Sequence, residues 1–226
     1  INKCAWLIDR SLLHYRRGQQ LVATDLAHQS IESANSPRER LDSTMNLIQM
    51  LAFGDAPAQA LEISRQISQD SAEILLSDIE AEAYLCHYTS FACHFLDLNI
   101  QSCEQSRRAA ELYGALGRRY DQGISWVNAG DGAWGAGRYT EAEEYFDKAL
   151  GLASICRLPH VEDIATICLA NLRMSQMRLE EAAALYEDGI SLAQRIGQDW
   201  DVLYGKIYQA LTLGILGKGH KDLQSF

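Results

Sequence analysis

A chain that repeats itself at a forty-residue period is confined to very few folds, and the C-terminal half of this one does so. Gly137-Arg-Tyr-Thr-Glu-Ala142 superimposes on Met177-Arg-Leu-Glu-Glu-Ala182 when the sequence is shifted by one such period. The match continues with Phe146 on Tyr186, Leu150 on Ile190, Leu152 on Leu192 and Ala153 on Ala193. A further period carries Gly137 to Gly217 and Phe146 to Phe226, and one period backward carries Ala149 to Ala109 and Leu152 to Leu112. Weaker copies start near Gly54 and Gly18, where the register is loose by a residue or so. Five repeats and the start of a sixth are expected.

Each repeat reads as two amphipathic helices joined by a short turn. Ala142, Tyr145, Phe146, Ala149, Leu152 and Ala153 recur at three- and four-residue steps, which is one apolar stripe at the helical period. Gly137 falls where a helix must stop and positive φ is tolerated, and Gly54, Gly117 and Gly217 are expected to punctuate in the same way. Pro37, Pro57 and Pro159 fit turns or first helical turns. The 28 Ala and 29 Leu against 4 Val and 6 Thr agree with an all-helical chain, and 3 Pro leave helices uninterrupted. β-Sandwiches and doubly wound α/β folds are excluded.

Trp126, Ala129, Gly130 and Ala133, followed by Ala142, Phe146 and Ala149, resemble the tetratricopeptide pattern, with small residues in place of its Leu and Tyr. The pattern has a physical reason: small residues let paired helices approach, and the aromatic fills the gap to the next pair. The longer repeat is similar to the helical domains of MalT-like and LuxR-type bacterial regulators. The resemblance covers the chain by periodicity and is strong in its motif over residues 120–196. It implies an all-α, right-handed superhelix of about five and a half antiparallel helix pairs, one domain spanning 1–226. Lys218 to Phe226 begins a helix whose repeat is cut off, so a segment of a longer protein is expected.

Twenty basic against thirty acidic residues give a net charge of −10, the wrong sign for tracking phosphates, so direct nucleic-acid binding is not expected. The longest uncharged stretch runs only from Ala83 to Leu96, short of a membrane span, and no signal peptide is visible from Ile1 onward. A cytoplasmic protein with reduced thiols is expected from six cysteines lacking any C-x-x-C pair.

Cys86-His87 and Cys93-His94 invite a metal reading. Ligands two helical turns apart lie roughly 10 Å apart along the axis, too far to close on one ion. The repeat frame puts both cysteines on packing positions, so buried thiols are expected and no metal or cofactor. No G-x-S-x-G or strand-borne phosphate loop is present, and a non-enzyme is expected. Arg107-Arg108 and Arg118-Arg119 are expected to flank helix ends.

The resemblance implies that the first helix of each repeat lines a concave groove. The positions it selects are Tyr84, His87, Phe91, His94 and Phe95; then Ile124, Val127, Asp131 and Trp134; then Ile164, Ile167, Asn171 and Met174. Such an apolar and aromatic patch suits a protein or peptide partner, or a small effector; the alternative is that these residues pack on one another. A clamp for a terminal carboxylate is not expected, because Asn171 lacks a Lys or Arg at the matching positions. The reading is a protein-interaction or effector-sensing module, the regulatory part of a multidomain bacterial transcriptional regulator. A stand-alone scaffold that binds peptides or assembles complexes is the alternative, and homo-oligomer formation stays open.

Overall fold

A computed structural model describes residues 2–218, and among these every regular element is a helix. The order is α1 (Lys3–Arg16), α2 (Gln20–Glu32), α3 (Pro37–Ala52), α4 (Pro57–Asp70), α5 (Ala72–Ser77), α6 (Ile79–Phe95) and α7 (Asn99–Ala115). Then follow α8 (Arg119–Gly135), α9 (Tyr139–Cys156), α10 (Pro159–Ser175), α11 (Leu179–Ile196) and α12 (Asp199–Ile215). Among the described residues, five helix pairs, one short insertion and a final unpaired helix make up the five and a half repeats expected. The expected second helix of the sixth repeat, with the match of Phe226 to Phe146, lies outside the described residues.

The forty-residue period has a backbone cause. Asp97, Gly117, Gly137, Arg157, Met177, Gly197 and Gly217 all have positive φ, so one left-handed residue ends a helix at every twentieth position. After most of them the next N–H reaches back five residues, as in Arg138 to the Ala133 carbonyl at 2.8 Å and Arg178 to that of Arg173 at 2.9 Å. That bond closes carbonyls the helix end leaves open. Ahead of α3 and α6, which this device does not precede, side chains cap the helix start: Ser36 accepts from the Glu39 N–H ahead of Pro37, and Asp78 accepts from the N–H groups of Glu80 and Ala81.

The N-terminal register departs from the forty-residue period for a visible reason. First helices begin at positions 3, 37 and 79, spacings of 34 and 42, and only then every 40. The six-residue α5 lengthens the second interval. Gly54 does not punctuate as expected. Its φ is not positive, and a Cβ there would meet the Met50 carbonyl at 2.9 Å, so its smallness serves close packing. Arg107 and Arg108 likewise lie inside α7, paired with Glu111 and Glu82, rather than at a helix end.

The chain forms two compact units, Ile1–Leu116 and Gly117–Phe226. In the first, Leu41, Ile48, Met50 and Leu51 of α3 are buried with Ala23 and Ala27 of α2, Ala60 and Leu61 of α4, and Leu85 of α6. In the second, Phe146, Tyr186 and Val161 are fully buried, and Ile167, Ala170, Ala182, Tyr186 and Ile190 form one cluster. Small residues set the helix spacing there. A Cβ at Gly130 would overlap the Phe146 ring, and one at Gly123 would sit 2.7 Å from Val161. The aromatic of the second helix thus fills the space left by a glycine of the first.

Candidate functional site

Each unit carries a crevice between its own first helices. In the first unit a cavity of about 250 Å³ opens among α1, α3 and α6, with Leu12, Met45, Tyr84 and Tyr88 in its walls. Tyr84 and Tyr88 are nearly parallel, their ring centroids 6.1 Å apart, as one helical turn places them. Asn46 lines the same cavity, is only 5% exposed, and has no hydrogen-bond partner for either amide atom. A buried amide left unpaired costs about 1–3 kcal/mol, so the crevice holds an unused donor and an unused acceptor side by side.

Other predicted positions on α6 serve packing more than recognition. His87 lies edge-on to Phe91 at 5.1 Å and to Tyr113 at 5.9 Å, and Phe91 rests on Phe53 at 4.4 Å. Phe95 and His94 are exposed, edge-on to each other at 5.4 Å.

In the second unit a cavity of about 230 Å³ lies among α8, α10 and α12. Its walls repeat by the forty-residue rule: Val127 with Ile167, Asn128 with Cys168, Asp131 with Asn171, and Ile164 with Tyr204. Of the predicted residues, Val127 and Asn171 are 3% and 4% exposed, so both are structural walls rather than open contacts. Asn171 is engaged at both ends of its amide: Oδ1 accepts from the Tyr186 hydroxyl at 2.6 Å and Nδ2 donates to the Tyr204 oxygen at 3.1 Å. Trp134 donates its indole N–H to Ser175 Oγ at 2.9 Å, outside the cavity lining.

Sequence reasoning missed three contributors on α12, Trp200, Asp201 and Tyr204. They follow from stepping one period on from His160, Val161 and Ile164. It also missed Asp163 of α10, which is fully buried and, when protonated, hydrogen-bonds the Asp201 carboxylate. Burial, aided by the facing Asp201 carboxylate, pushes the Asp163 carboxyl up to about 7. The Cys168 thiol is pushed well above its usual range by burial, with the charges of Asp131, Asp201 and Asp163 adding to the effect. These three carboxyl groups therefore gather around one wall of the cavity. His160 answers them, 3.7 Å from Asp201 through Nε2 and 2.8 Å from the Tyr120 hydroxyl through Nδ1.

All six cysteines are free thiols, and burial pushes that of Cys86 up to about 12, which keeps it protonated and unreactive. Among the described residues no cluster of His, Cys, Asp or Glu could hold a metal ion, and no helix is long and apolar enough to cross a membrane.

No known protein family matches the sequence, and no curated protein resembles it closely enough to align. Solved structures do share its fold. A Rap protein in complex with competence and sporulation factor superimposes with a TM-score of 0.79 at 14% identity, over 93% of this chain and 59% of its own. A signal-transduction ATPase with a tetratricopeptide-repeat sensor from Pyrococcus horikoshii gives 0.79 at 14% identity, over 91% of this chain and 32% of its own. The tetratricopeptide-like repeats of a Podosopora anserina putative kinesin light chain give 0.72 at 16%, over 87% and 97%. This chain thus spans about three fifths of the Rap protein and a third of the ATPase. The fold is that of tetratricopeptide-repeat proteins.

Proposed function

We propose that this chain is a non-enzymatic recognition module that binds an extended peptide along its first helices, in a cytoplasmic, multidomain bacterial regulator of the MalT-like or LuxR type. The observation that carries the reading is Asn46. Its buried amide presents one donor and one acceptor, unpaired, in the wall of a crevice flanked by Tyr84 and Tyr88. That is the complement of a single peptide group, and the tyrosines offer apolar area at small entropic cost. Tyr84, His87, Phe91, His94 and Phe95 on α6, with Val127, Asp131, Trp134 and Asn171 in the second unit, then form or support the binding faces. One solved structure of the same fold supports the peptide class, a plasmid Rap conjugation gene regulator in complex with the Phr* peptide; the Rap protein in complex with competence and sporulation factor supports partner binding more generally. The P. horikoshii protein, whose repeats are described as a sensor, supports the regulatory setting. A stand-alone scaffold is the alternative reading, and the tetratricopeptide-like repeats of the putative kinesin light chain share this fold.

Asn46→Leu tests the proposal with two readouts. Removing an unpaired buried amide leaves stability unchanged or raised. If Asn46 reads a peptide group, binding of randomised hexapeptide pools, followed by fluorescence anisotropy, falls at least ten-fold in the same variant. Unchanged binding, or a parent chain that binds no pool, sinks the reading.

A further inference from the structure

A larger space in the first unit lies where its repeat is irregular. A cavity of about 590 Å³ opens among α4, α5, α6 and α7, on a different face of α6 from the first-helix crevice and more than twice its volume. That is the size of a small-molecule site. The inserted α5 is one of its walls. Leu75 is anchored there, 8% exposed, whereas Leu76 beside it in the lining is 88% exposed.

The floor is aliphatic. Leu61 and Leu85 are buried in it, and so are Cys86 and Cys93, the cysteines that α6 carries two turns apart. Burial pushes both thiols above their usual range, so each stays neutral and acts as soft apolar surface. Among the described residues no aromatic ring lines this cavity, in contrast to the tyrosines of the crevice over α3.

Its charge is unbalanced toward the positive, in a chain whose net charge is −10. The charged residues of the lining are Arg65, Arg108 and Glu82. Arg108 is engaged by Glu82, donating to one carboxylate oxygen through Nε at 3.0 Å and Nη2 at 2.8 Å. Arg65 is less well matched: its ion-pair partner Glu62 lies 3.7 Å away, beyond hydrogen-bond length.

We propose that this cavity binds a free fatty carboxylate, its aliphatic chain against the leucines and thiols and its head group paired with Arg65. A flexible chain suits such a floor, whereas a flat ring would find no face to stack on. A carboxylate matches the planar fork of a guanidinium. The acyl chain of a phospholipid ends in no such group, so the charge of the head separates these two sources. Occupancy also gives Leu76 an apolar partner that the free protein does not supply. The site is an effector site apart from the peptide face, and it stands whether or not a peptide binds there.

Calorimetric titration of the whole chain at pH 7.5 tests it, with hexanoate, octanoate, decanoate and dodecanoate below their micelle concentrations and with the matching primary alcohols. Affinity is expected to rise about three- to four-fold per added methylene, then to level off once the chain fills the cavity. Decanoate is expected to bind about three- to five-fold tighter than decanol, as for an ion pair near the surface. Arg65→Gln brings that ratio close to one, and Arg65→Lys keeps most of it. Leu76→Ser weakens acid and alcohol alike, by about three-fold or more. Both side chains are exposed, and helical circular dichroism with a cooperative melt establishes that each variant is folded. Absence of binding by every acid overturns the inference, as does an acid-to-alcohol ratio that survives Arg65→Gln. So does affinity that climbs with chain length but ignores Leu76→Ser, the mark of adventitious partition onto apolar surface elsewhere. Phosphatidylcholine vesicles are expected to leave the chain unbound in flotation, and capture by vesicles without binding of the free acids overturns the assignment to a free carboxylate.

Discussion

Phe146 lies so close to Gly130 that a methyl group at position 130 would overlap its ring. The two residues belong to the paired helices α8 and α9, and the ring is fully buried. Phe146→Ala is expected to cost about 3–5 kcal/mol, as for an aromatic removed from a close-packed core. Gly130→Ala alone costs about 1–3 kcal/mol through overpacking. Combined, the two cost less than their sum, because the alanine at 130 moves into space the ring vacates. Chemical denaturation of the four proteins in this cycle gives the coupling, and strict additivity would show that the two side chains do not share one space.

Asn171 joins two tyrosines, and the bonds differ in burial. The Tyr186 hydroxyl is fully buried against Oδ1, whereas Tyr204 is half-exposed. Tyr186→Phe should destabilise by about 1–3 kcal/mol, since it leaves a buried acceptor unpaired, and Tyr204→Phe by clearly less. Equal midpoints for the two variants in urea would contradict this ordering.

Asp163 makes stability depend on pH. Its folded value of about 7 lies above the ordinary 3.8, so the folded protein holds this proton more tightly than the unfolded chain does. The stability that goes with the bound proton is fully present below about pH 4 and is lost as pH rises toward 7. The loss is on the order of a few kcal/mol, set by about 1.4 kcal/mol per unit of difference. Asp163→Asn should flatten this slope and raise the melting temperature at pH 8. Parallel melting curves for parent and variant across pH 4 to 8 would refute the assignment.

Arg173 gives the opposite sign. Its side chain is nearly buried and ion-paired with Glu143, whose carboxyl is held below its usual range by that bond. This contribution is present above the ordinary glutamate value and is lost as pH falls through the depressed one. Glu143→Ala removes the closest carboxylate from a largely buried guanidinium, leaving it Gln176 at 3.0 Å and Glu181 at 3.7 Å, and should cost about 1–2 kcal/mol at pH 7. Arg173→Met, which removes the charge and keeps the stem, should cost less. A larger loss from Arg173→Met than from Glu143→Ala would show that Arg173 serves packing rather than pairing.

The helices from α8 onward were legible because the stripe led by Ala142 and Phe146 repeats with its spacing intact. Where the repeat drifts, the cause lies in residues whose sequence carries no signal. Asp97, Arg157 and Met177 take left-handed φ as Gly137 does, yet nothing in their identity announces it. Ser71 and Ala72 open α5 without a proline or glycine to mark it. The crevice was partly legible, since its wall positions recur by forty. Asp163 was not: an aspartate reads as a surface charge, and only its correspondence to the packed Gly123 would have shown it facing inward.

From Asp97 onward, the recurrence of a left-handed residue at every twentieth position has a consequence for how this part of the chain can change. Here the length of each helix is kept by counting rather than by spelling, since glycine, aspartate, arginine and methionine all serve at the turn. Substitutions between the turns can accumulate without moving a helix, so long as no residue is gained or lost. A single inserted residue is the graver change, because it rotates everything after it by about 100° on a helix and breaks the alignment of positions forty apart. The molecule is therefore tolerant in composition and strict in metre, and chains sharing only 14% of their residues with it can still lie along the same path.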